Sequence, residues 1–325
     1  MESIPVPRPP AELPTEAELM TTWKGDPEKP LVTVLCLTYD HEPFIRDALH
    51  GFLSQRTTFP FRVIVHDDAS TDQTAAIVRE YERRFPRIIR GIYQTTNLYS
   101  RKINRSSYVD PLIEGEFVAV CEGDDYWTDP RKLEEQARYL STHPECSLVC
   151  QPHNNAEYAD GRLVSVGATR ETALTLTRMY RKMDLQGFPE QLKGLPNGDR
   201  ASLVFLSTKG NVVHLSHLSP AVRVMHDGGV MSRQPKIIQL ERQVATWGAI
   251  YEYYRSTRFG SALREKYLRV LAEQELFRFR RSPFGFQKLS RGFRFAGYQA
   301  QLVPNHLRNR IIGLKGRGSF PLKLG

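Results

Sequence analysis

The sequence predicts an α/β protein, a Rossmann-like, mostly parallel central sheet flanked by helices. Three observations point there. Apolar runs of strand length occur at Leu31–Leu37, Phe61–Val65, Ile88–Tyr93 and Phe117–Cys121, and continuous apolar runs mark strands buried on both faces. Amphipathic helical patterns alternate with these runs. Three polar clusters, Thr38–His41, Asp67–Asp72 and Glu122–Asp125, fall where strands end, and parallel sheets hold ligands at the carboxyl ends of their strands.

Taken in order, residues 1–29 contain six prolines and no periodicity, which predicts an extended leader. The core begins at Pro30. After the first strand, Ile45, Ala48, Leu49, Phe52 and Leu53 recur at spacings of three and four, one face of a helix. The second strand ends in His66-Asp67-Asp68-Ala69-Ser70-Thr71-Asp72, and Ile77, Val78, Tyr81 and Phe85 mark the next helix. Beyond the fourth strand, Asp129-Pro130 predicts an N-cap with proline at the first helical position, with Leu133, Ala137 and Leu140 on the buried face. Residues 196–200, PNGDR, open a shorter helix through Leu203–Leu206 that closes at Lys209-Gly210. This organisation gives a leader (1–29), a main domain (30–235) and a helical, basic, aromatic-rich extension (236–325).

The chain has 325 residues, 40% hydrophobic and 25% charged, enough for one sizeable core. No apolar run approaches the ~20 residues that cross a bilayer, and the start Met1-Glu2-Ser3-Ile4-Pro5 is unlike a signal peptide. The expected location is therefore the cytoplasm. Cys36, Cys121, Cys146 and Cys150 lie in or beside apolar runs without metal-ligand spacing, so buried free thiols are expected.

The stretch CEGDDYW (121–127) sets three carboxylates, Glu122, Asp124 and Asp125, directly after an apolar strand. Acids crowded at a strand end repel unless a cation joins them, and their oxygens suit Mg²⁺ or Mn²⁺. A helix cap and turn made of ordinary acids is the alternative, but one cap needs one acid.

The ordered segments VTVLCLTYDHEPFIRDALHGFLSQ, VIVHDDASTDQTAAIVREY and FVAVCEGDDYWTDPRKLEEQ resemble the family 2 glycosyltransferases, over roughly residues 31–235, and among them the enzymes that build bacterial cell-surface polysaccharides. The resemblance implies the GT-A fold and inverting transfer of a sugar from a nucleotide-diphosphate sugar, foremost a UDP-sugar, to a hydroxyl of a glycan or lipid-linked acceptor, with Mn²⁺ or Mg²⁺ bridging the diphosphate. It implies nucleotide binding by Thr38, Tyr39, Asp67 and Asp68. The family's Asp-x-Asp motif falls on Glu122-Gly123-Asp124, making Asp124 the metal ligand and leaving Glu122 to the ribose or to a water-mediated metal contact. Asp125 and Trp127 become candidates for touching donor sugar or acceptor. Asp40 stands where family members usually have Asn. Asp199 matches the family's general base, the alternative being a plain N-cap. RVMHDGGVMS (223–232) resembles the segment in which His226 ligates the metal or binds the diphosphate, Arg223 neutralises charge, and paired glycines close a loop on phosphate. The segments 90–116 and 157–197 are expected to select the acceptor or act as lids.

Two other classes share these parts. One is a degenerate transferase that binds nucleotide sugar as a regulator or scaffold; intact Asp124, Asp199 and His226 oppose it. The other is a nucleotidyltransferase, which would bring a Gly-rich basic loop where this chain has Thr38-Tyr39-Asp40-His41-Glu42. The net charge of +9 is concentrated toward the C-terminus, where arginines interleave with phenylalanines over residues 254–325. No nucleic-acid motif accompanies them, so nucleic acid is not an expected partner. Either a solvated helical appendage or contact with an anionic membrane surface follows, the latter placing the protein peripherally on the inner face of the plasma membrane.

Overall fold

The computed structural model describes residues 6–101, 103, 106–159, 162–168, 173–227, 229, 234–281, 290–292, 294–298 and 301. The strands are β1 (Val32–Thr38), β2 (Phe61–Asp67), β3 (Ile89–Tyr93), β4 (Phe117–Glu122), β5 (Cys146–Cys150), β6 (His153–Ala159), β7 (Arg162–Ala168), β8 (Met179–Arg181), β9 (Asn211–His214) and β10 (Ala221–Met225). The helices are α1 (Glu16–Met20), α2 (Ile45–Leu53), α3 (Thr74–Arg84), α4 (Ser106–Val109), α5 (Lys132–Thr142), α6 (Gly198–Lys209), α7 (Lys236–Tyr254) and α8 (Gly260–Arg281).

The main sheet runs β3-β2-β1-β4-β8-β5-β9. β3, β2, β1 and β4 are mutually parallel, and only β8 runs against its neighbours. The four strands expected from the apolar runs are therefore the parallel half of the sheet. Register puts Thr38 beside Asp67 and Leu37 beside Glu122, so all three polar clusters emerge at one edge. One face of the sheet is closed by α2, α3 and α5 through Ile45, Leu49, Phe52, Val78, Tyr81, Leu133 and Ala137. All four cysteines are buried free thiols.

A second sheet, β10-β6-β7, was not foreseen. It is tied to the first by a bridge between Tyr126 and Val222, whose backbone amides and carbonyls exchange bonds of 3.1 and 2.9 Å. This bridge carries the end of β10 back to the acids that follow β4.

Two sequence expectations need correction. The leader is not wholly extended: Thr15 and Glu18 form a capping box that starts α1, a local signal in T-E-A-E that outweighs the surrounding prolines. Leu19 is buried in the main core with Leu13 and Trp23 against it, and Glu16 accepts from the Arg87 amide at 2.7 Å. Helix α5 begins at Lys132 rather than Pro130. The Asp129 carboxylate is taken by the amides of Arg131 (2.9 Å) and Ser219 (2.8 Å), so it pins a turn to the β9–β10 loop instead of capping the helix.

Helices α7 and α8 pack on α6 through Trp247, Ile250, Tyr254, Leu263 and Val270 against Ala201 and Val204. Part of the tail's charge is matched within the chain: Glu275 is buried and pairs with Arg278 (3.3 Å) and Arg294 (3.5 Å). Phe284, Phe286, Lys288 and Phe293 lie outside the described residues. Among those described, no helix is long and apolar enough to cross a membrane.

Lys132 is fully buried, its Nζ donating to Gln136 Oε1 (2.7 Å) and the Thr177 carbonyl (3.1 Å) and lying 4.7 Å from the centroid of the Trp127 ring. Burial lowers its pKa to about 7. Between about pH 7 and the ordinary lysine range the unfolded chain then holds a proton that the folded chain lacks, so this group's contribution to stability rises with pH across that window and is lost as pH falls toward 7. Lys132→Met should remove the slope. Urea unfolding at pH 7 and pH 9 should show the wild type gaining about 2 kcal/mol over the variant; parallel pH profiles would contradict it.

Candidate active site

The parallel pairing of β1 with β4 juxtaposes the loops that leave them. Thr38 ends β1 as a buried residue, and a Cβ on Gly123 would come within 2.7 Å of its Oγ1, so glycine is what lets the acidic turn lie against β1. Asp40 has φ of 51°, a conformation that Asn and Asp tolerate best. Its carboxylate accepts from the Thr71 amide at 2.7 Å. Asp40 thus fastens the first loop to the second.

That second loop is self-bonded. Asp67 is buried and accepts from both the hydroxyl and the amide of Ser70, with burial raising its pKa. The Asp68 carboxylate takes the amides of Leu98 (2.8 Å) and Tyr99 (3.0 Å). Tyr39, by contrast, is 41% exposed at the rim.

The acids after β4 divide their roles. Asp125 is buried, and its Oδ1 accepts from the Val224 amide at 2.9 Å. Burial, then Asp124 and Glu122, push its carboxyl well above the usual range. It is a latch between the turn and β10, not a group facing a sugar. Trp127 is also corrected: it is fully enclosed, its Nε1 donating to the Leu176 carbonyl at 2.7 Å and its ring edge-on to Phe52, so it belongs to the core. An aromatic directly after a strand-end motif reads alike in sequence whether it faces ligand or core.

Asp124 stays at the edge. His226, delivered by β10 and the Tyr126–Val222 bridge, places Nε2 3.0 Å from Asp124 Oδ2. His41, from the loop after β1, places Nε2 3.6 Å from the same oxygen. One donor atom from each of the three lies within 4.8 Å of the others. Burial opposes ionisation of Asp124, but the two imidazoles outweigh it and its carboxyl is held below the usual range. Burial lowers His41, against the pull of the Asp124 charge. An ionised carboxylate and two imidazoles converging on one point fit a divalent cation. The cluster brings together Asp124 and His226, the two residues expected at the metal, and adds His41, while Glu122 and Asp125 stand outside it. His41 lay in a recognised polar loop, but only the β1–β4 pairing shows what it faces. Arg223 lies on β10, where its charge acts on Asp125. Gly228 and residues 230–233 of the proposed phosphate loop lie outside the described residues.

Asp199 is the second residue of α6, two places past the N-cap Asn197. It is therefore not the cap. Its side chain is 35% exposed and pairs with Arg200 Nε at 3.7 Å. Two bonds fix the start of α6: the Asn197 amide donates to Thr246 Oγ1 of α7 at 3.2 Å, and Arg178 Nη1 donates to the Asp199 carbonyl at 2.9 Å. Arg178 is buried, and its charge feels both Asp199 and Glu122. It links the helix to the end of β4, and no sequence motif marked it.

Comparison with known proteins agrees with this layout. The chain is 45% identical over 132 residues to an uncharacterized protein of Mycobacterium tuberculosis, covering 40% of this chain and 37% of that one, so the matched part spans well under half of that relative. In structure it is similar to residues 1–349 of Staphylococcus aureus TarS in complex with UDP-GlcNAc (TM-score 0.56, 20% identity, 84% of this chain and 80% of that). It is also similar to the mannosyltransferase PcManGT of Pyrobaculum calidifontis in complex with GDP-Man and Mn²⁺ (TM-score 0.51, 15% identity, 93% and 86%). These likenesses show the GT-A fold. The sequence profile of glycosyl transferase family 2 matches residues 33–195, half of the chain, and the chain accordingly belongs to that family.

Proposed function

We propose that the protein is an inverting, metal-dependent glycosyltransferase that moves a sugar from a nucleotide-diphosphate sugar, foremost a UDP-sugar, to a hydroxyl of a cell-surface glycan or lipid-linked acceptor. The observation that carries this reading is the convergence of His41, Asp124 and His226 at the carboxyl ends of β1 and β4, the edge where α/β sheets bind nucleotides. The TarS and PcManGT complexes, with UDP-GlcNAc and with GDP-Man and Mn²⁺, support it. Residues 30–235 are taken as the catalytic domain.

In this reading Tyr39, exposed at the rim, offers a face to the nucleobase, while Thr38, Asp67 and Asp68 shape the nucleoside pocket and Glu122 faces the ribose. Asp124 and His226 would hold Mn²⁺ or Mg²⁺, which when bound offsets the negative charge on the departing diphosphate. Arg223 adds positive charge on the same side. The acceptor oxygen attacks the anomeric carbon as the bond to the diphosphate breaks on the opposite face, and the acceptor proton passes to Asp199. No covalent intermediate is needed.

Purified protein incubated with UDP-, GDP- and dTDP-sugars and Mn²⁺ should release nucleoside diphosphate from one class. Binding without release would favour a regulator, and release of pyrophosphate from a nucleoside triphosphate and a sugar phosphate would favour a nucleotidyltransferase. Association with an anionic surface through 254–325 belongs to the same proposal. Co-sedimentation with anionic vesicles that weakens with salt would support it.

A further inference from the structure

His41 lies in the cluster with Asp124 and His226, yet the proposed mechanism assigns it no role, and its setting is not that of a satisfied core histidine. Its backbone is fixed at the entrance to α2: the amide donates to Thr74 Oγ1 at 2.8 Å and the carbonyl accepts from the amides of Phe44 and Ile45 at 2.9 Å. The side chain is 14% exposed, yet its Nδ1 is buried with no hydrogen-bond partner among the described residues. The other ring nitrogen faces Asp124 Oδ2 from one side while His226 Nε2 faces it from another, with the two imidazole planes at 86°. Phe44, three residues on, lies 4.4 Å from the His226 ring, so the same loop seats both imidazoles.

We infer that His41 is a third ligand of the divalent cation, making a centre of two imidazoles and one carboxylate that selects Mn²⁺ over Mg²⁺. This rests on the metal-dependent reading above and adds to it a ligand and a selectivity. Mg²⁺ prefers carboxylate, carbonyl and water oxygens, whereas affinity for imidazole rises from Mn²⁺ along the first row. A site with one carboxylate and two ring nitrogens is therefore poor for Mg²⁺. The acidic stretch contributes one carboxylate to the cluster, and the nitrogen donors come from the segments that follow β1 and β10.

The test is Mn²⁺ binding in the presence of UDP, followed by the loss of the free-ion EPR signal, with directly coordinated nitrogens counted by electron spin-echo modulation on protein carrying ¹⁵N-histidine. The wild type should show two imidazole nitrogens on Mn²⁺, and excess Mg²⁺ should displace it weakly. His41→Gln should leave one nitrogen and weaken Mn²⁺ by about 10–100-fold or more, since loss of even an outer partner costs that much. His41→Asp, which supplies an oxygen in place of the ring, should retain the cation but move the preference toward Mg²⁺, a result a misfolded protein would not give. One nitrogen in the wild type, or an unchanged nitrogen count and Mn²⁺/Mg²⁺ ratio in His41→Gln, would overturn the role of His41 while leaving metal dependence in place. No Mn²⁺ bound by the wild type beyond what UDP alone binds would overturn both.

Discussion

Asp124→Asn should lower turnover by at least about 10²–10³-fold, the cost of removing one preorganised electrostatic stabiliser from a reacting centre, and should weaken binding of the donor as well. Asp124 is the only carboxylate in the donor cluster among the described residues. A neutral amide of the same shape keeps the packing but removes the negative charge that would hold a cation there. Asp125→Asn is the matched control. The Asp125 carboxyl already resists ionisation, and its structural duty is to accept from the Val224 amide, which an amide oxygen does equally well, so its effect should be small. Nucleoside diphosphate release assayed for both variants, with EDTA-treated wild type alongside, reads the difference. Full activity in EDTA, or equal losses in the two variants, would contradict the assignment.

The contrast between these neighbours shows where sequence reasoning stops. The four parallel strands were legible because apolar runs that end in polar loops report burial on both faces, and α2 and α3 because their apolar residues share a face. Helix α5 was displaced because Asp129, a good cap by type, is used for a bond to Ser219, 90 residues away in sequence. Asp125 and Trp127 read as site residues since they adjoin Asp124, and adjacency in sequence does not say which way a side chain turns. Asp125 turns to β10 and Trp127 to Phe52. His41 and Arg178 went unassigned for the opposite reason, as their roles depend on pairings across the sheet. Arg178 becomes visible only when the start of α6 is seen beside the end of β4. The second sheet was illegible because β6 and β7 alternate weakly, with a register shift at Asn155, and because β6 finds its other partner, β10, far along the chain.

Asp199→Asn should separate chemistry from binding. Had Asp199 been the N-cap of α6, its carboxylate would be consumed by the helix amides and its loss would be one of stability, about 1 kcal/mol. The structure puts Asn197 at the cap and leaves the Asp199 side chain partly exposed, 3.7 Å from Arg200 and with its backbone held by Arg178. In the proposed reaction this carboxylate, held on a fixed helix start, is the group that takes the proton of the acceptor hydroxyl. The amide cannot accept that proton, so turnover should fall by ~10²–10⁴-fold, the usual reach of a general base. UDP affinity should stay near wild type, because Asp199 is not in the cation cluster and Arg178 bonds to its main chain, which the substitution does not touch. Thermal unfolding should move little for the same reason. Measuring UDP affinity and sugar release on one preparation decides the matter. If affinity collapses in step with turnover, Asp199 serves the nucleotide pocket, and if the unfolding temperature falls with both, it serves the fold of α6 against α7.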